Sequence, residues 1–134
     1  MKHPERVEDY LEHIAEAIER ATGYIQELDN VAALVHDHKT QAAVIRNIEI
    51  IGEAASRIQR QAPEFVTAHP ALPWNQMRGM RNRMIHHYFD VNVDLLWSTV
   101  KEDLPRLKQQ IDSLLVEQRR SDKPEQDREP DPSR

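Results

Sequence analysis

The chain has 134 residues, of which 39% are hydrophobic and 31% charged, with a formal net charge of −5. That suits one domain with a modest core. The absence of cysteine excludes a disulfide framework, a thiolate metal site and a cysteine nucleophile. No apolar run approaches the roughly 20 residues of a membrane-spanning helix. The opening Met-Lys-His-Pro-Glu-Arg lacks the apolar centre of a secretory signal. Only three glycines occur, which speaks against turn-rich β architecture. The expectation is a soluble, cytoplasmic, all-α domain.

Taken in chain order, the first apolar stripe is Val7, Leu11, Ile14, Ile18, Ala21, Ile25 and Leu28, at steps of 4, 3, 4, 3, 4 and 3. That is one face of an amphipathic helix, with Pro4 near its first turn. Asp29-Asn30 marks a break, residues 31–38 are short and ambiguous, and Thr40 is the expected N-cap of a second long helix. That helix carries Val44, Ile48, Ile51, Ala55 and Ile58, with Gly52 beside the stripe, where it would admit a second helix at close range. Pro63, Pro70 and Pro73 then forbid a long helix, leaving room for one turn around Glu64–Thr67. Pro73 opens a third helix with the stripe Trp74, Met77, Arg81, Met84 and Tyr88. Asp90 or Asn92 can cap a fourth, with Leu96, Val100, Leu104, Leu107, Ile111 and Leu114 on its buried face and a kink at Pro105. From Glu117 the apolar residues stop, and six acids, five bases and three prolines fill 18 residues. The reading is a helical domain over 1–117 and a charged, Pro-containing, disordered tail over 118–134. Four amphipathic helices with short links predict an antiparallel four-to-five-helix bundle.

The charge is unevenly spread. No acid lies between Glu64 and Asp90, whereas Arg78, Arg81, Arg83, His69, His86 and His87 all do. An acidic chain that clears carboxylates from one segment makes a local anion-attracting patch there. Arg81 is the odd member, because it falls on an apolar stripe. A guanidinium facing a core is costly unless paired. One reading is a buried salt bridge to Glu49 or Glu53 of the second helix. The other is an arginine at a cleft, offering its fork to a phosphate. His86, five residues on, lies about 140° around a straight helix from Arg81. For the two to converge, the helix must end near His86 or two chains must contribute. Arg plus His is the minimum set for metal-free RNA transesterification, with His moving the proton and Arg countering charge on phosphorus.

The stretch Met80-Arg81-Asn82-Arg83-Met84-Ile85-His86-His87-Tyr88-Phe89-Asp90-Val91-Asn92 resembles the R-x4-H-x-Y signature of HepT-type HEPN toxins. Two more blocks agree: Arg46-Asn47-Ile48-Glu49-Ile50-Ile51-Gly52-Glu53-Ala54-Ala55 and Leu72-Pro73-Trp74, with Trp97 downstream. The resemblance covers residues 7–115. It implies an HEPN bundle that dimerises through the face carrying the R-x4-H motif, and a metal-independent endoribonuclease acting on tRNA or mRNA as part of a type VII toxin–antitoxin system. Carried over by residue, Arg81 would contact the scissile phosphate, His86 would transfer protons and Asn82 would support the site. Tyr88 would be the tyrosine that a cognate MNT nucleotidyltransferase antitoxin AMPylates. The resemblance implies no cofactor for RNA cleavage, and ATP and Mg²⁺ only through that antitoxin. His87 departs from the family, where Gly is common. Arg78 and Arg83 are expected to aid RNA binding. A rival reading is a catalytically silent HEPN interaction subunit that binds a nucleotidyltransferase. His36-Asp37-His38 invites a metal, but no Glu-x-x-His pair accompanies it, and no metal site is expected.

Overall fold

The computed structural model of the chain describes residues 6–85 and 90–122. Its helices are α1 (Val7–Gln26), α2 (Val31–Val35), α3 (His38–Gln61), α4 (Pro63–Ala68), α5 (Trp74–Met84), α6 (Val93–Ser98) and α7 (Leu104–Asp122). Residues Thr99–Asp103 form a π turn that joins α6 to α7. The four long elements are therefore α1, α3, α5 and the α6–α7 helix, with α2 and α4 as short connectors. Of the described residues, Ile85 and Val91 alone form a β bridge, and it is isolated.

Side chains near each break fix where the helices begin. Asp9 accepts from the Arg6 backbone N–H at 2.8 Å at the head of α1. Asn30 caps α2 by accepting from Ala33 at 3.1 Å. Asp37, not Thr40, caps α3. Its carboxylate takes both the Thr40 backbone N–H at 3.0 Å and the Thr40 hydroxyl at 2.7 Å, so Thr40 becomes a donor inside the first turn. The buried Gln41 Nε2 then reaches back to the carbonyls of Leu34 and Val35 at 2.8 and 3.1 Å. Those are orphan acceptors at the end of α2, and they are satisfied from the next helix.

The expected stripes form the core. Leu11, Ile14, Ile18 and Ile25 of α1 are buried with Val44, Ile48, Ile51 and Ile58 of α3. Met77 and Met84 of α5 join them, as do Leu96, Leu104, Leu107 and Ile111 of α6–α7. Full burial of each such side chain contributes about 1.5–3 kcal/mol. Helix α1 packs on α3 and α7, α3 on α5, and α2 on α6. On α5 the stripe differs from expectation. Met80 is buried at 5% exposure, whereas the Arg81 side chain is 45% exposed. Two adjacent residues lie about 100° apart, and the apolar one faces inward.

The last helix meets Pro105 with a π turn. The proline ring would clash with the carbonyl four residues earlier, and it has no N–H to donate. The π turn immediately before it absorbs the misfit, with the Leu104 N–H bonded to Thr99 O. The helix also continues past Glu117 to Asp122. There Arg119 holds Glu8 and Glu12 of α1 at 3.3 and 3.0 Å.

Candidate active site

Gly52 and Glu49 lie one turn apart on the same side of α3, and both address α5. A Cβ at Gly52 would stand 3.0 Å from Met77 O and 3.5 Å from Arg78 O. The backbones of the two helices therefore touch there, as a glycine at a crossing permits. One turn further along α5 comes Arg81. Its Nε donates to Glu49 Oε2 at 2.9 Å. Of the two partners expected for Arg81, Glu49 is the one used, but the pair is half-exposed (45% and 35%) rather than buried. The other Glu49 oxygen lies 4.0 Å from the Arg46 guanidinium. The carboxylate thus sits between two cations.

Holding Nε leaves the terminal nitrogens of Arg81 open. Among the described residues they make no hydrogen bond, and they form the planar fork suited to a phosphate. Asn82 and Arg78 are exposed beside it. Arg83 points elsewhere, donating to Gln76 O at 3.2 Å. Being two residues from Arg81, it stands about 200° round the helix.

Helix α5 ends at Met84, and Ile85 is already extended at φ −123° and ψ 114°. The chain returns at Val91, opposite Ile85, and the Asn92 N–H bonds Met84 O at 2.7 Å. Asn92 then caps α6, accepting from Leu95 at 3.0 Å. Of the two routes by which Arg81 and His86 could converge, a helix that stops before His86 is therefore present. The same end removes the helical-spacing argument that put Tyr88 on the face of Arg81. His86, His87, Tyr88 and Phe89 themselves lie outside the described residues, as do residues 1–5 and 123–134. His36 and His38 are exposed on either side of the α3 cap. Among the described residues no three His, Asp or Glu gather as a metal site would require.

The residue least anticipated as part of the site is Glu49, which the sequence offered as a salt-bridge partner and as one member of a family block, without a role at the site. Its signal was the spacing Arg46-x-x-Glu49-x-x-Gly52. That spacing puts a cation, an acceptor and a contact point along one side of a helix.

Comparison with known proteins gives the family. The family model described as "Ribonuclease HepT-like" matches residues 14–114. A "Probable ribonuclease HepT" of Thermococcus cleftensis is 49% identical over 106 residues, covering 79% of this chain and 93% of that protein. "Putative RNase TTE0752" of Caldanaerobacter subterraneus subsp. tengcongensis is 35% identical over 114 residues, covering 82% and 95%. Among solved structures, none matches significantly. With three-quarters of its length matched by one family model, and with that model's span containing both Glu49 and the complete R-x4-H-x-Y segment, the chain belongs to the ribonuclease HepT-like family.

Proposed function

We propose that the chain is an endoribonuclease, the toxin subunit of a toxin–antitoxin pair, and that Arg81 and His86 carry its chemistry. The observation that supports this most is the half-exposed Arg81 guanidinium at the end of α5, steadied through Nε by Glu49, with its terminal nitrogens making no hydrogen bond among the described residues. In the reaction, His86 takes the proton from a ribose 2′-hydroxyl and the 2′-oxygen attacks the adjacent phosphorus. The bond to the 5′-oxygen breaks, and that oxygen leaves with the proton that His86 returns. The products are a 2′,3′-cyclic phosphate and a 5′-hydroxyl. Arg81 offsets the charge that grows on the phosphoryl oxygens, and Asn82 supports the site. No metal enters this scheme, so cleavage should persist in chelator.

In the same reading the active form is a homodimer that brings two such motifs to one cleft. A nucleotidyltransferase partner, using ATP and Mg²⁺, neutralises it by AMPylating Tyr88. The adduct adds bulk and negative charge beside a cationic site, which repels and blocks RNA. The test is expression of the chain alone, comparing wild type with His86→Ala and Arg81→Ala, followed by 3′-end analysis of cellular RNA. Growth arrest with new cyclic-phosphate ends in wild type alone is the expected result. A folded, unmodified wild type that causes neither would overturn the reading and leave the silent interaction subunit.

A further inference from the structure

On the side of α5 away from Arg81 lies a cavity of about 470 Å³ between the end of α5 and the π turn. That volume falls in the range of small-molecule sites. The buried Met80, Met84 and Leu107 form its floor, while Ala71, Pro73 and Leu95, the last 36% exposed, carry its accessible apolar surface. Its charged members are Arg83, Arg106 and Asp103. Asp103 and Arg106 are three residues apart and both exposed, yet neither forms an ion pair among the described residues. Neighbours of opposite sign at that spacing ordinarily meet on a helix. Here the π turn ends between them, and Asp103 belongs to it while Arg106 belongs to α7. Such turns recur at functional sites, because the wider coil re-aims side chains.

We propose that this cavity holds one nucleotide of the RNA strand, next to the cleavage position. The inference rests on the ribonuclease reading for the identity of the strand, though not for the binding itself. The base lies against Pro73 and Leu95, above the floor of Met80, Met84 and Leu107, an apolar contact that any base can make. Arg106, with Arg83 behind it, meets the phosphate. Asp103 is an acceptor only, so it selects bases with donors on the Watson–Crick edge. Guanine, with adjacent N–H and amino donors, fits a carboxylate best. Uracil, which has no amino group, fits worst. Asp103 is thus a specificity-determining residue. The placement is compatible with catalysis because Arg81 and Arg83 share the last turn of α5. A strand crossing that helix end passes from one to the other within about one helix diameter, ~10 Å.

The test uses the full chain with its methionine methyls labelled, titrated with GMP, CMP, AMP and UMP. Met80 and Met84 line the cavity, whereas Met77, as buried as Met84, does not line it and serves as the internal control. The expected result is that GMP moves the Met80 and Met84 methyls, with UMP weaker by about tenfold or more. Arg106→Ala should weaken all four nucleotides by about tenfold, and Asp103→Asn should erase the preference for GMP over UMP. The second arm compares cleavage of short RNAs that differ only in the base beside the cut, where Asp103→Asn should level kcat/KM across them.

Absence of any shift at Met80 and Met84, or shifts indifferent to both substitutions, overturns the proposal even if Arg81-dependent cleavage is intact. Binding with this pattern but no cleavage upholds the nucleotide site and overturns the ribonuclease reading instead. If mononucleotides bind as expected while neighbouring bases in RNA never alter cleavage, the occupant is a free nucleotide and the substrate-strand assignment fails.

Discussion

Substituting Gly52 with Ala tests the helix crossing that aims Arg81. Two effects oppose each other. Ala in place of a mid-helix Gly favours the helix by about 1 kcal/mol. The new methyl, however, would stand 3.0 Å from Met77 O and 3.6 Å from Arg78 Cα. Both are backbone atoms, and the helix as a whole must give by a few tenths of an ångström. Overpacking of this kind costs about 1–3 kcal/mol. The net expectation is therefore between no change and about 2 kcal/mol of destabilisation. Gly23 and Gly79 supply the controls, since a Cβ at either meets nothing within 4 Å. Each Ala there should stabilise by up to about 1 kcal/mol. Urea unfolding at one fixed protein concentration would measure all three, because any self-association makes stability concentration-dependent. The gap between Gly52→Ala and Gly79→Ala should be about 1–3 kcal/mol. If Gly52→Ala stabilised as much as Gly79→Ala, the close approach of α3 to α5 would be refuted, and with it the account of how Glu49 meets Arg81.

The half-exposed Arg81–Glu49 pair is worth no more than about 1 kcal/mol, whereas a transition-state cation is worth at least about a hundredfold in rate. Arg81→Ala should therefore unfold at nearly the wild-type urea midpoint while losing RNA cleavage. Glu49→Gln keeps an acceptor for Nε and should retain more activity than Glu49→Ala, read as kcat on one RNA. Removing the Asn92 cap with Asn92→Ala should cost about 1 kcal/mol, and Asn92→Ser should restore most of it in the same unfolding assay. The Thr40 hydroxyl, then the Thr40 backbone N–H, hold the Asp37 carboxyl below its ordinary value of 3.8. Its stabilising effect is thus present above pH 3.8 and lost as pH falls through the depressed value. Asp37→Asn, which still caps, should flatten that acid limb of the stability curve.

The steps of 4 and 3 in α1 and α3 were enough to place both helices and their large aliphatic core, but not the buried Tyr10, Ala15, Ala17, Gln41, Asn47 and Ala54 that flank the stripes. The end of α5 was less accessible. Its apolar spacing runs on from Met84 to Tyr88, and nothing local stops it, since no Gly or Pro lies between Met84 and Asn92. The stop comes from the bond between Asn92 and Met84 O, a return of the chain that periodicity cannot register. Arg81 was misplaced on the buried face for a related reason. Met80 and Arg81 both fit a helical stripe, and burial of the apolar Met80 decides between them, with the Glu49 pair thirty-two residues earlier receiving Arg81 at the surface. Leu96, Val100 and Leu104 did carry a local signal, with two successive steps of 4 where the other helices alternate. Eight residues of ordinary helix turn about 80° past the core face. The π turn takes up that excess.

The α6–α7 helix thus contains one residue more than its packing uses. In an ordinary helix, removing a residue turns everything beyond it by about 100° and carries the buried side chains to the surface. Here a deletion of the exposed Lys101, combined with Pro105→Ala to restore the missing donor, would convert the π turn into plain α-helix. Leu104, Leu107, Ile111 and Leu114 would keep their face, at steps of 4, 3, 3, 4 and 3 counted from Leu96. The same deletion made within Leu107–Leu114 has no slack to draw on and would break the register. This helix can be shortened at one place only, and that place is also the wall of the cavity beside α5.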